Sequence, residues 1–213
     1  MNYFLAKRVL DIIGASVGLV LFSPIFLIVA VFIKLDSKGP IFADIPSRVG
    51  AGGKVFKMLK FRSMIANAHE VLRADPKYKS LYEQYKKGNF KVSTDQDPRI
   101  TRVGRFIRKT SLDELPQLIN ILRGDMSLVG PRAFHVDELE DQQKKHLGTS
   151  KFVLQLLKVK PGLTGPWQVS GRSSVDFPER VKLDADYAKS NSVINDIKII
   201  LKTIPAVLKG EGN

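Results

Sequence analysis

Two adjacent carboxylates, Asp113 and Glu114, stand between Arg108-Lys109 and Arg132 in the run RFIRKTSLDELPQLINILRGDMSLVGPR, residues 105–132. A carboxylate can attack phosphorus or hold a divalent metal, and arginines can hold an anionic substrate, so this run suits phosphoryl chemistry. A structural reading competes for the same residues. Ser111-Leu112-Asp113-Glu114 fits a capping box, with Ser111 as the N-cap and Glu114 at the third helical position. Asp113 also suits a first helical turn through the helix dipole, while Pro116 limits how regular that turn can be. The two readings coexist, because a helix start attracts anions.

The elements that must position these residues begin with a membrane-length segment. From Val9 to Ile33 the chain is apolar except for Asp11. About 20 apolar residues suffice to cross a bilayer, which makes a single-pass anchor the simplest reading. A cleaved signal peptide is disfavoured by the length of the run and the lack of a small-residue cleavage site. Ser23-Pro24 lies mid-segment, and proline removes a helix hydrogen bond and bends the chain. Lys7 and Arg8 precede the segment, and Lys34 and Lys38 follow it, so the flanking charge favours both ends on the cytoplasmic side. Each half is about 10–15 residues, too short to cross alone. From the residues alone, a re-entrant helix-break-helix and a kinked span both stand.

The remainder has room for one domain. Lys and Arg number 34 against 21 Asp and Glu, a net charge of +13. That excess calls for an anionic partner: nucleic acid, an acidic membrane surface or a phosphorylated substrate. With no cysteine, disulfides and thiolate catalysis are excluded, and a reducing compartment fits. His69, His135 and His146 lack metal-ligand spacing, which speaks against a histidine zinc site.

Gly50, Gly52 and Gly53 mark a turn, followed by a strand-like alternation from Val55 to Phe61; the spacing is not that of a Walker loop. Residues 66–87 form a polar, helical excursion interrupted at Asp75-Pro76. Arg99, Arg102, Arg105 and Arg108 recur every third residue, either as a solvated basic face or as an anion-binding patch. Gly130-Pro131-Arg132 is a turn presenting an arginine. Residues 160–172 form a loop that brings backbone and Arg172 close to a ligand and contains Trp167, the only tryptophan. Phe177 to Lys189 reads as a helix, and Asp196 to Lys209 has helical periodicity. The latter's stripe, Ile197, Ile200, Leu201, Ile204 and Leu208, faces either a core or a membrane interface.

Taken together, KRVLDIIGA, the Ser-Pro in the apolar segment, FKMLKFRSM, DPRITRVGRFIRKTSLDELPQLINILRGDMSLVGPR, KPGLTGPWQVSGRS, LDADY and DIKIILKTIPAVLKG resemble the bacterial sugar transferase family. These are small monotopic polyprenol-phosphate phosphoglycosyl transferases, and the resemblance covers nearly the whole chain as the family's minimal catalytic unit. It implies transfer of a phosphosugar from a UDP-sugar to polyprenol (undecaprenyl) phosphate with release of UMP, starting a membrane-linked glycan. It makes Asp113 the nucleophile of a covalent phosphosugar intermediate, Glu114 its partner, and Mg²⁺ a required cofactor lying close to Asp113. Ser23-Pro24 becomes the family's helix break, which favours the re-entrant hairpin. One departure is Ala133, where many members have a second proline after Pro131-Arg132.

The expected architecture is α/β and mostly helical: a re-entrant membrane hairpin over 1–38, then a cytoplasmic catalytic domain over 39–213 with a small sheet and amphipathic interfacial helices. Lys60, Arg62, Arg108, Arg132 and Arg172 are candidates to hold phosphates, against ordinary surface charge. Asp184 is a candidate to orient one of these arginines, against a plain helix-surface carboxylate. The expected location is the cytoplasmic face of the bacterial inner membrane, with no nucleic-acid partner and homo-oligomerisation left open. The alternative is a non-enzymatic, membrane-anchored basic module that binds anionic lipid or nucleic acid.

Overall fold

The computed structural model describes residues 3–43, 47–87, 92, 94–171 and 175–208. Arg172 and Lys209 lie outside the described residues. Helix α1 spans Tyr3–Asp36 and runs through Pro24 without interruption. The expected break is therefore not an interruption of the helix, and the sequence shows why. Proline at 24 has no N–H to offer the carbonyl four residues back, that of Val20. The Ser23 hydroxyl donates to that same Val20 oxygen at 2.8 Å and replaces the missing bond.

Both ends of α1 are tied to the globular body. Near the start, the Arg8 guanidinium donates to the Ile121 and Leu122 carbonyls at 2.7 and 2.9 Å, at the C-terminal end of α5 (Gln117–Arg123). Lys7 pairs with buried Asp196 at 2.8 Å. Buried Asp11 accepts from the Ser127 hydroxyl and the Leu128 N–H, both at 2.9 Å. Near the end, the Asp36 carboxylate accepts from the Val103 N–H at 3.0 Å, in the first turn of α4 (Arg102–Lys109). Between these ties α1 contributes to two cores. Ala15, Leu19 and Phe22 pack with Leu118, Ile121 and Met126, while Ile25, Phe26, Val29 and Ile33 pack with Phe61 and Ile107. The opposite face leaves Val17, Val20, Leu21, Leu27, Ile28, Val31, Phe32 and Leu35 exposed.

The body holds two small sheets. Strands β1 (Arg48–Val49) and β2 (Val55–Phe56) form an antiparallel hairpin around the glycine turn, shorter than the alternation to Phe61 suggests. Strands β3 (Ser127–Val129) and β4 (Gly162–Thr164) pair in parallel. Residues 160–172, read as a loop, thus contribute β4 and the one-turn α8 (Pro166–Val169). Glycine is required here: a Cβ on Gly162 would sit 2.1 Å from the Gly130 nitrogen.

The excursion forms α2 (Ala68–Ala74) and α3 (Lys79–Lys87), with a 3₁₀ turn at Pro76–Tyr78 where the interruption was expected. A core without α1 residues forms under α6 (Val136–Lys145), α7 (Ser150–Leu156) and α9 (Phe177–Lys189), from Phe134, Leu139, Val153, Leu156, Phe177 and Val181. Helix α9 matches its expected bounds because Asp176 caps it, accepting from the Glu179 N–H at 2.9 Å. In α10 (Val193–Leu208), Ile194, Ile197, Leu201 and Ile204 are exposed, whereas Ile199 is buried. Ile197, Leu201 and Ile204 of the stripe thus face outward, while Ile200 packs with Ile199 against Val129 and Tyr187.

Candidate active site

The Asp113–Glu114 pair lies in a single 3₁₀ turn, Leu112–Glu114, between α4 and α5. The capping box expected here does not form. Ser111 sits in the left-handed region at φ 56° and its side chain makes no cap bond. Glu114 has a stronger partner: its Oε1 accepts from Lys60 Nζ at 2.7 Å. This ion-paired bond competes with a capping bond for the Glu114 carboxylate. Left-handed backbone at a non-glycine residue costs about 1–2 kcal/mol, strain of a kind that concentrates at functional sites.

Lys60 is brought to the pair by two anchors. Asn120 on α5, fully buried, accepts from the Leu59 N–H at 2.8 Å and donates to the Lys57 carbonyl at 2.9 Å. The Phe61 N–H donates to the Asp113 carbonyl at 2.9 Å. Lys60 Nζ then lies 3.9 Å from Asp113 Oδ2 while it holds Glu114.

The two carboxyls differ in environment. Asp113 is 5% exposed, and burial pushes its carboxyl up to about 6, against the opposing pull of Lys60. Burial works to raise Glu114 as well, but Lys60, Arg132 and Arg48 together hold it below the ordinary range. Two adjacent carboxyls thus take different ionisation ranges, a pattern that marks working sites. A module that only bound anionic lipid or nucleic acid has no use for a buried carboxylate of this kind, and the alternative reading is not favoured.

The expected phosphate-binding residues divide. Arg132 lies close enough to Glu114 to lower it, and its guanidinium stacks on Trp167 at 4.8 Å. Arg108 acts on Asp113 in the same sense, and its Nε donates to the Ser63 hydroxyl at 3.1 Å. Arg62 goes elsewhere. Its guanidinium binds the Ile33, Ser37, Lys38 and Pro40 carbonyls and the Ser37 hydroxyl, so it caps the C-terminal end of α1 and has no donor left for a phosphate. Arg99 is neither a solvated face nor an anion site: it is buried against Asp97 at 2.6 Å and donates to the Ala68 carbonyl. Asp184 is not a surface carboxylate. Fully buried, it accepts from the Arg132 backbone N–H at 3.0 Å and so fixes the main chain that carries this arginine. Burial pushes its carboxyl up to about 7.

Two buried cations at the site had not been anticipated, Arg48 on β1 and Arg180 on α9. The Arg180 guanidinium stacks on Trp167 at 4.8 Å, as Arg132 does. The sequence carried a signal for each: Arg48 lies two residues before Gly50 of the glycine turn, and Arg180 lies one helical turn before Asp184.

Carboxylates, lysine and arginines set at one turn beside an apolar helix agree with a family model for bacterial sugar transferases, which matches residues 2–210. The chain belongs to that family. Exopolysaccharide production protein ExoY of Rhizobium meliloti is 44% identical over 213 residues, covering 98% of this chain and 88% of that protein. The undecaprenyl-phosphate galactose phosphotransferase of Salmonella typhimurium is 44% identical over 210 residues, 97% of this chain and 41% of that protein. The UDP-glucose:undecaprenyl-phosphate glucose-1-phosphate transferase of Caulobacter vibrioides is 40% identical over 212 residues, 96% and 70%. The chain spans about two-fifths of the length of several bacterial relatives that it matches.

Among the described residues no group of three metal-ligating side chains forms. Mg²⁺ needs none, since it is commonly held by one or two carboxylates together with water and substrate phosphates. The hard oxygen donors of Asp113 and Glu114 fit it.

Proposed function

We propose that this bacterial sugar transferase moves a phosphosugar from a UDP-sugar to polyprenol phosphate, releasing UMP. The observation that carries this reading is the buried Asp113 beside Lys60 in a chain of this family. In the first step an Asp113 oxygen attacks the sugar-bearing phosphorus. The new P–O bond forms as the bond to the UMP oxygen breaks. In the second step a phosphate oxygen of the polyprenol carrier attacks the same phosphorus and displaces Asp113. The product is a polyprenyl-diphosphate sugar and the carboxylate is regenerated. Burial leaves the Asp113 carboxylate little solvated, and Lys60 favours its charged form, which suits it to act as a nucleophile. Glu114 holds Lys60 in place, and Lys60 stabilises the Asp113 carboxylate. Mg²⁺, held by Asp113 with Glu114 beside it, would neutralise charge on the diphosphate.

We read α1 as a re-entrant element whose two ends share the cytoplasmic side of the inner membrane. A straight helix of this length would separate its ends by about 50 Å. Here Arg8 and Asp36, near opposite ends, both bond the same body. The exposed apolar face of α1 and the stripe on α10 supply the lipid contact. The test is UMP release over a panel of UDP-sugars with undecaprenyl phosphate. Turnover of at least one sugar, lost with EDTA and restored by Mg²⁺, is expected. No UMP from any sugar would refute the reading.

A further inference from the structure

Arg48 has no part in the chemistry above. Its side chain is 7% exposed, and Nη1 donates to the Ala133 carbonyl at 3.1 Å. Its Nε has no partner, and among the described residues no carboxylate comes within 4.0 Å of its guanidinium. Glu138 and Glu114 act on it only from beyond that distance, which leaves its guanidinium open to an anion. Arg132 is half-buried; its Nε is likewise unpartnered, and among the described residues it has no carboxylate within that distance. Arg180 differs, since Glu138 lies 3.8 Å from it. Burial and the nearby Arg132 together push Arg48 down to about 10, and both arginines also act on Glu114. Two guanidiniums thus converge beside the dyad, each with an unpartnered Nε that a phosphate oxygen would satisfy.

Phosphate reaches this site from two sources, the nucleotide sugar and the lipid carrier. Arg108 is on α4, whose Ile107 packs with Val29 and Ile33 of the membrane segment. Next to Arg48, Val49 packs into the α6–α7–α9 core, to which α1 contributes no described residue. Arg48 bonds Ala133, which packs with Ala15 of α1, but it acts on Glu114, whereas Arg108 acts on Asp113. We infer that Arg48, with Arg132, seats the diphosphate of the nucleotide sugar on the Glu114 side, leaving the α4 side to the lipid phosphate. The inference rests on the transferase reading above.

The test is calorimetric titration of the detergent-solubilised full chain with UDP, alongside the KM for undecaprenyl phosphate. Arg48→Gln should weaken UDP about 10- to 100-fold, the range for one lost charge-assisted contact. Arg48→Lys keeps the charge without the fork and should fall between wild type and Arg48→Gln; it carries the test if the glutamine variant folds poorly. The KM for undecaprenyl phosphate should not move in either. Unchanged UDP affinity in a folded variant overturns the assignment alone, as does a rise in the lipid KM in its place. Failure of the wild-type chain to bind UDP overturns both this assignment and the transferase reading.

Discussion

Replacing Asp113 with asparagine keeps the shape of the side chain and removes its charge, so it separates the chemistry of this residue from its burden on the fold. Its carboxyl moves from 3.8 to about 6 on folding, chiefly by burial. Roughly two units at 1.36 kcal/mol each give a penalty of about 3 kcal/mol. The sign follows from a raised folded-state value. Below about pH 4 the carboxyl is protonated in both states and the penalty is absent; it grows as pH rises and is complete above about pH 6. Asp113→Asn should therefore abolish UMP release yet melt roughly 5–10 °C above wild type at pH 7.5, with the gap closing at pH 4. The assay is thermal unfolding in detergent at both pH values, paired with UMP release. Equal melting at pH 7.5, or a gap indifferent to pH, would refute the argument that this carboxylate is held at the expense of stability. Retained turnover would refute its role as nucleophile.

Other outcomes follow from the same geometry. UMP release should fall as pH drops through about 6, and Lys60→Met should move that limb to higher pH, because Lys60 lowers Asp113; rate–pH profiles at fixed ionic strength check it. With no native cysteine to interfere, Asn2→Cys and Lys38→Cys should react with an impermeant thiol reagent from the same side of sealed vesicles. Labelling from opposite sides would establish a span. Arg62→Met should destabilise the chain by about 3 kcal/mol, read by thermal melting, since it strips the bonds that cap the end of α1. Indifference to this change would contradict the capping role.

Where structure is set by neighbours in sequence, the chain could be read directly. Asp176 starts α9 and Pro76 interrupts the excursion because a side-chain cap and a missing N–H act within a few residues. The apolar stripe of α10 was also visible, although the choice between core and membrane needed its exposure. The candidate site was legible in Asp113 and Glu114 and in Arg108 and Arg132 beside them, but not in how its cations are shared out. Lys60 reaches Glu114 from 54 residues away and dissolves the capping box. Arg62 turns to carbonyls 22 to 29 residues back, and Arg48 to one 85 residues on. Such partners are chosen by the tertiary fold, and no local pattern names them.

The strand-like stretch that follows β2 joins two tasks over a very short distance. Lys60 braces the nucleophile and Arg62 grips the end of α1, only two residues on, or about 7 Å of extended chain. On the transferase reading, a shift of α1 in the bilayer would carry to the phosphorus that Asp113 attacks, and lipid thickness and composition would become kinetic variables. Cutting away the apolar helix would then not liberate a soluble catalyst. It would leave Arg62 without its carbonyls and the ammonium beside Asp113 adrift.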